Sequence, residues 1–124
     1  MEERTMTLLP EIKGLTRKKP VCYDPQKNRF ITIDDLEANK ANIVPLDLLT
    51  DEQLKRLVIE RNRVGENYRV QTNWSEPSQS RNDIIKQIED DTESGRMAVE
   101  AEIMYLRDHL KDIEDALTRY RREH

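Results

Sequence analysis

One cysteine, Cys22, stands in a chain of 124 residues. A disulfide framework within the chain is therefore excluded, and a reducing interior suits it. Glycine occurs three times, at 14, 65 and 95, too scattered to build a phosphate-cradling loop. The two histidines, His109 and His124, have no cysteine or carboxylate at metal-ligand spacing. No apolar run approaches the ~18 residues of a membrane span, and no signal peptide is visible, so the chain reads as soluble and cytoplasmic. Apolar residues make up 35% and charged residues 37%, less apolar than an ordinary globular domain. A large single core is not expected, and partners are expected to supply part of the buried area. Together these absences point away from an enzyme, a cofactor or a metal site.

Charge is present in quantity and unevenly spread. Residues 1–75 carry 13 Lys/Arg and 12 Asp/Glu, a balance of +1, whereas residues 76–124 carry 8 and 13, a balance of −5. An acidic second half argues against a helix that grips nucleic acid. Residues 1–20 hold two prolines, a glycine and the basic cluster Arg17, Lys18 and Lys19, and read as an extended arm. The cluster is either a solvated charge run or a contact for an acidic partner; no aromatic residues interleave with it for base stacking.

Residues 21–23 and 30–33 are β-prone runs flanking Asp-Pro-Gln-Lys-Asn, which has turn chemistry. A hairpin is expected, followed by a short helix from Asp34 to about Ala41. Residues 49–65 read as a helix. Thr50 and Gln53 form a capping box, Leu49 and Leu54 have hydrophobic-staple spacing, and Gly65 is placed at C′. Trp74 lies in the following stretch and reads as a packing anchor. Ser80 and Asp83 offer a second cap, opening a helix with Ile84, Ile85 and Ile88 on one side. Cys22 reads as a small semi-buried hydrophobe rather than a nucleophile.

The strongest pattern is C-terminal. Val99, Ile103, Leu106, Leu110, Ile113, Leu117 and Tyr120 step by four and three alternately, the heptad rhythm of a coiled coil. Ile103, Leu110 and Leu117 take a; Val99, Leu106, Ile113 and Tyr120 take d. Gly95 marks a kink or break. Flanking charges favour neither parallel nor antiparallel pairing. The stripe runs roughly 33 Å, and the 49–65 helix is too short to cover it alone. An intermolecular seam is therefore expected, with packing inside the chain as the alternative.

The stretch YDPQKNRFITIDDL resembles an EF-hand loop, with Asp24 first, Gln26 third, Asn28 fifth, Phe30 seventh, Thr32 ninth and Asp35 twelfth. Arg29 stands where that family needs a glycine, Asp35 is a methylene short of the bidentate glutamate, and Pro20 interrupts the entering helix. The resemblance, over residues 20–74, thus implies a calcium-dead packing module. The same residues are similar to the N-terminal domain of polyhydroxyalkanoate synthesis repressors, through Tyr23-Asp24 and the run from Arg29 to Leu36. That second resemblance implies DNA binding.

The expected architecture is mostly α: an arm over 1–20, a small hairpin–helix module over 21–75, a linker at 76–80, and a coiled-coil helix over 81–124 kinked near 95. The expected function is that of a non-enzymatic assembly protein, docking through its N-terminal module and associating through the C-terminal seam. Its partners would be proteins of a larger assembly, such as a filament, a ciliary or cytoskeletal lattice, a secretion machine or a virion. They would be reached as a homo-oligomer or a hetero-coiled coil, without a membrane. The alternative is a DNA-binding regulator dimerised by the same helix.

Overall fold

The computed structural model describes residues 15–65, 69–70 and 78–123. After a single turn, α1 (Leu15–Lys18), the strands β1 (Pro20–Asp24) and β2 (Arg29–Thr32) form the expected antiparallel hairpin. Asp24 makes the turn: its Oδ1 accepts the backbone N–H groups of Gln26 at 2.9 Å and Lys27 at 3.3 Å, the Asx-turn chemistry that a leading aspartate provides. Asn28 then takes a left-handed conformation, φ 51°, which asparagine tolerates. Val21, Cys22 and Tyr23 are all buried, so β1 is covered on both faces.

Helix α2 (Ile33–Glu37) follows β2 without a gap. Thr32 Oγ1 accepts the Asp35 N–H at 3.1 Å, and Asp35 Oδ2 accepts the Thr32 N–H at 3.0 Å. This capping box starts the helix at Ile33, one residue ahead of the expected start. The helix also ends earlier than expected, because Asn39 turns left-handed at φ 60°. A 3₁₀ turn, Leu46–Leu48, leads to α3 (Asp51–Val64). There the Thr50–Gln53 box forms as expected, at 3.1 and 2.9 Å. Gly65 closes α3 with φ −67°, extended rather than left-handed, so it does not act as the C′ residue of a Schellman turn.

A two-residue ladder joins β3 (Arg69–Val70) to β4 (Gln79–Ser80). Ser80 and Asp83 then cap α4 (Arg81–Glu89) as expected. From the start of α4, Arg81 donates to the Gly65 carbonyl at 2.6 Å, placing a cation at the C-terminal end of α3. The C-terminal region is not one kinked helix. The break falls at residues 90–92, where Asp91 has φ 58°, and α5 runs Glu93–Glu123. Gly95 lies inside the first turn of α5, and a Cβ there would stand 2.2 Å from the Gln87 carbonyl oxygen. Its missing side chain lets α5 fold back tightly on α4; it does not bend a helix. Among the described residues no helix is long and apolar enough to cross a membrane.

One hydrophobic cluster joins these elements. Val21, Cys22 and Ile31 of the hairpin, Leu36, Leu46, Leu57 and Val58 meet Ile85 and Ile88 of α4 and the stripe of α5. The expected division into a small module and a separate helix is thus replaced by a shared core.

Candidate docking groove beside the long helix

The stripe expected to form an intermolecular seam faces inward. Ile103, Leu106, Leu110, Ile113 and Leu117 are buried within the chain, Leu106 completely, and Val99 is half-buried. The Tyr120 side chain lies outside the described residues. The heptad spacing is correct, but its cover is intramolecular. Sequence reasoning weighed only α3 as that cover. In fact Leu54 and Ile88 lie beside Val99 and Ile103, and Ile43, Pro45 and Leu46 lie beside Leu110. Each fully buried Leu or Ile contributes on the order of 1.5–3 kcal/mol.

Polar anchoring reinforces this packing. Arg61, buried on α3, donates to Glu102 of α5 at 2.8 Å and to the Pro20 carbonyl of β1 at 2.8 Å. Its guanidinium also lies 5.9 Å from the Tyr105 ring centre, and Tyr105 stacks on His109 at 5.4 Å. Burial, seconded by the Arg61 charge, pushes the His109 pKa below its usual value, with Asp112 opposing. The group is a structural clasp between three elements.

The candidates for chemistry are otherwise occupied. Burial pushes the Cys22 thiol up to about 11, which makes it a poor nucleophile. In the loop that resembles an EF-hand, Asp24 serves the hairpin turn and Asp35 serves the α2 cap and an ion pair with Arg29 at 3.2 Å. A strand, not a helix, enters that loop. Among the described residues no three His, Cys, Asp or Glu side chains are grouped to hold a metal ion. Arg17 of the basic cluster binds Asp34 at 2.9 Å and Glu37 at 2.5 Å on α2. Lys18 is exposed, and Lys19 lies alongside Gly65. Of the three bases, Arg17 is thus engaged within the chain while Lys18 faces solvent. Trp74 lies outside the described residues.

Among the described residues, an opening lies along the edge of the buried stripe, where α5 borders α3 and α4. A groove of about 690 Å³ runs between the start of α3, the end of α4 and the first half of α5. Leu54, Ile88, Val99 and Ile103 supply its apolar lining. Asp51, Glu52 and Glu100 stand on its rim with Lys55, Arg96 and Arg107. On the α5 bank stands Met104, 66% exposed, and Met97, one heptad earlier on the same helix face, is 62% exposed. Unbranched, polarizable methionines adapt to a partner's shape. Arg107 reaches Asp47 at 2.9 Å, but both side chains are largely exposed, so the pair holds weakly. Sequence reasoning missed this site. The only linear trace of it was the pair of methionines seven residues apart at outward b positions. A second opening, polar and about 320 Å³, lies at the turn end of the hairpin and includes Lys27, Arg29 and Lys40. No family model, curated protein or solved structure matches this chain.

Proposed function

We propose that this chain is a non-enzymatic protein-interaction module, as its composition and lack of catalytic motifs suggest, and that it engages its partner through the outer face of α5 and the groove beside it. This reading keeps the expected assembly role but moves the association surface from the heptad stripe itself to the groove along its edge and the exposed methionine beside it. The observation that carries it is the coincidence of an apolar-lined groove with Met104 standing exposed on its bank. Large apolar side chains left in water beside a groove are a mark of association surfaces. A mixed-charge rim around an apolar centre has the anatomy of an interface. To test it, a photoreactive amino acid is installed at position 104, and separately at the exposed position 115, in cells that make the protein. Adducts from 104 and none from 115 support the reading. Equal capture from both positions, or none from 104, removes it.

A second reading is a DNA-binding regulator. It draws support from the cleft that brings together Lys27, Arg29 and Lys40 beside Asp24, at and just beyond the stretch that resembles the repressor domain. The acidic second half weighs against it. A gel shift whose affinity falls steeply with salt, and which Lys27→Glu with Lys40→Glu abolishes, would favour this reading over the first.

A further inference from the structure

The occupant of the groove can be narrowed by charge order along its α5 bank. Reading from the N-terminal side, the charged and exposed residues of the bank are Arg96, Glu100, Met104 and Arg107. Glu100 and Arg107 are one heptad apart and flank the Ile103–Met104 pair symmetrically. Rotation by a two-fold axis perpendicular to the helix, passing between residues 103 and 104, carries Glu100 onto the position facing Arg107 and Arg107 onto the position facing Glu100. A parallel, in-register copy would instead set Glu100 against Glu100 and Arg107 against Arg107. The surface also places a ridge, Met104, next to a hollow lined by Leu54, Val99 and Ile103. Self-complementary pairing across a two-fold axis requires such a ridge and hollow on one patch.

We infer that the groove is filled by a second copy of the same chain, with the two α5 helices antiparallel, Met104 of each entering the other's groove, and reciprocal Glu100–Arg107 ion pairs closing both ends. This inference rests on the docking reading above and names its partner. The exposed Asp47–Arg107 pair is weak enough to yield Arg107 to the incoming Glu100. Steering by these charges fixes register and direction, and the apolar centre supplies the affinity.

The test is sedimentation of the full chain over a concentration series, with variants that leave the monomer's core untouched. The parent is expected to dimerise. Met104→Asp, at a site 66% exposed, should weaken the dimer about a hundredfold with no change in melting of the monomer. Glu100→Arg alone and Arg107→Glu alone each create two like-charge contacts by symmetry, and each should weaken the dimer about tenfold. The double swap, Glu100→Arg with Arg107→Glu, should restore parental affinity. Three results overturn the inference: a parent that stays monomeric throughout, a dimer indifferent to Met104→Asp, or single charge variants that the double swap fails to rescue. Adducts from position 104 to a different protein alone, with a monomeric parent, would remove this inference while leaving the docking reading standing. Absence of any adduct would remove both.

Discussion

The inner and outer faces of α5 make an instructive pair. The inner face repeats without an error from Val99 to Leu117 and is buried by the chain itself, apart from the half-buried Val99. The outer face shows no repeat beyond two methionines, yet it carries the exposed apolar side chains. Heptad regularity reports that a face is buried along its whole length; it does not report by what. A composite cover of α3, α4 and residues 43–46 can satisfy the same spacing as a second helix would. The irregular face, free of that constraint, is the one that carries Met104, on which the proposed docking rests.

The sharpest way to break this contrast is to truncate one residue on each face. Leu106→Ala, at a site with no exposure, should cost about 2–5 kcal/mol. Adding Leu110→Ala should bring the chain to the edge of unfolding. Met104→Ala should stay within about 0.5 kcal/mol under conditions where the chain is monomeric. Urea denaturation of the three variants decides it. Equal losses for Leu106 and Met104 would mean that the inner face is not core.

The next effect concerns how α5 is held against α4. In an open helix Gly95→Ala should stabilise by roughly 1 kcal/mol, from propensity alone. Here the new methyl meets the Gln87 carbonyl, so the helices must part, and a loss of about 1–3 kcal/mol is expected. The sign of the change in melting temperature is the readout. Smaller still is the cap of α3: Thr50→Ala should cost about 1 kcal/mol, since the Gln53 N–H loses its acceptor. Thr50→Ser should cost little.

The smallest effect is a pH dependence on the inner side of α5. In the folded chain His109 has a pKa below the usual value of 6.5. The unfolded chain therefore takes up its proton first as pH falls. The contribution of neutral His109 to stability is complete above about 6.5 and declines as pH drops from there towards the depressed value. His109→Gln should flatten that part of the stability profile, seen in urea midpoints compared between pH 7 and pH 5.5. An unchanged slope would show that the histidine is not set against Arg61 as described.

Most of the local structure was legible in the sequence because its causes are local. Thr50 with Gln53 and Ser80 with Asp83 act over three residues and need no tertiary partner, and the Asp24 turn is equally short-ranged. The break before α5 was misplaced onto Gly95 because glycine is the usual mark of an interruption. The chain instead turns at Asp91, a non-glycine residue in the left-handed region, and uses the glycine for close approach. The burial of the stripe was hidden for a different reason. Its cover is assembled from several segments, from α4 just before α5 to residues 43–46, more than 60 residues before Leu110, and no periodicity on α5 encodes them. The groove was invisible for the same reason: its walls come from three helices.

Arg61 carries one more consequence, for the folding transition itself. Its buried bond reaches 41 residues back to Pro20, and a half-buried one reaches 41 residues forward to Glu102. A guanidinium taken out of water with either partner absent would be left short of a bond where replacing water is costly. A state with the hairpin docked but α5 detached, or the reverse, is therefore penalised relative to both the intact and the open chain. The residue ties the two halves of the sequence into a single cooperative unit and favours all-or-none unfolding.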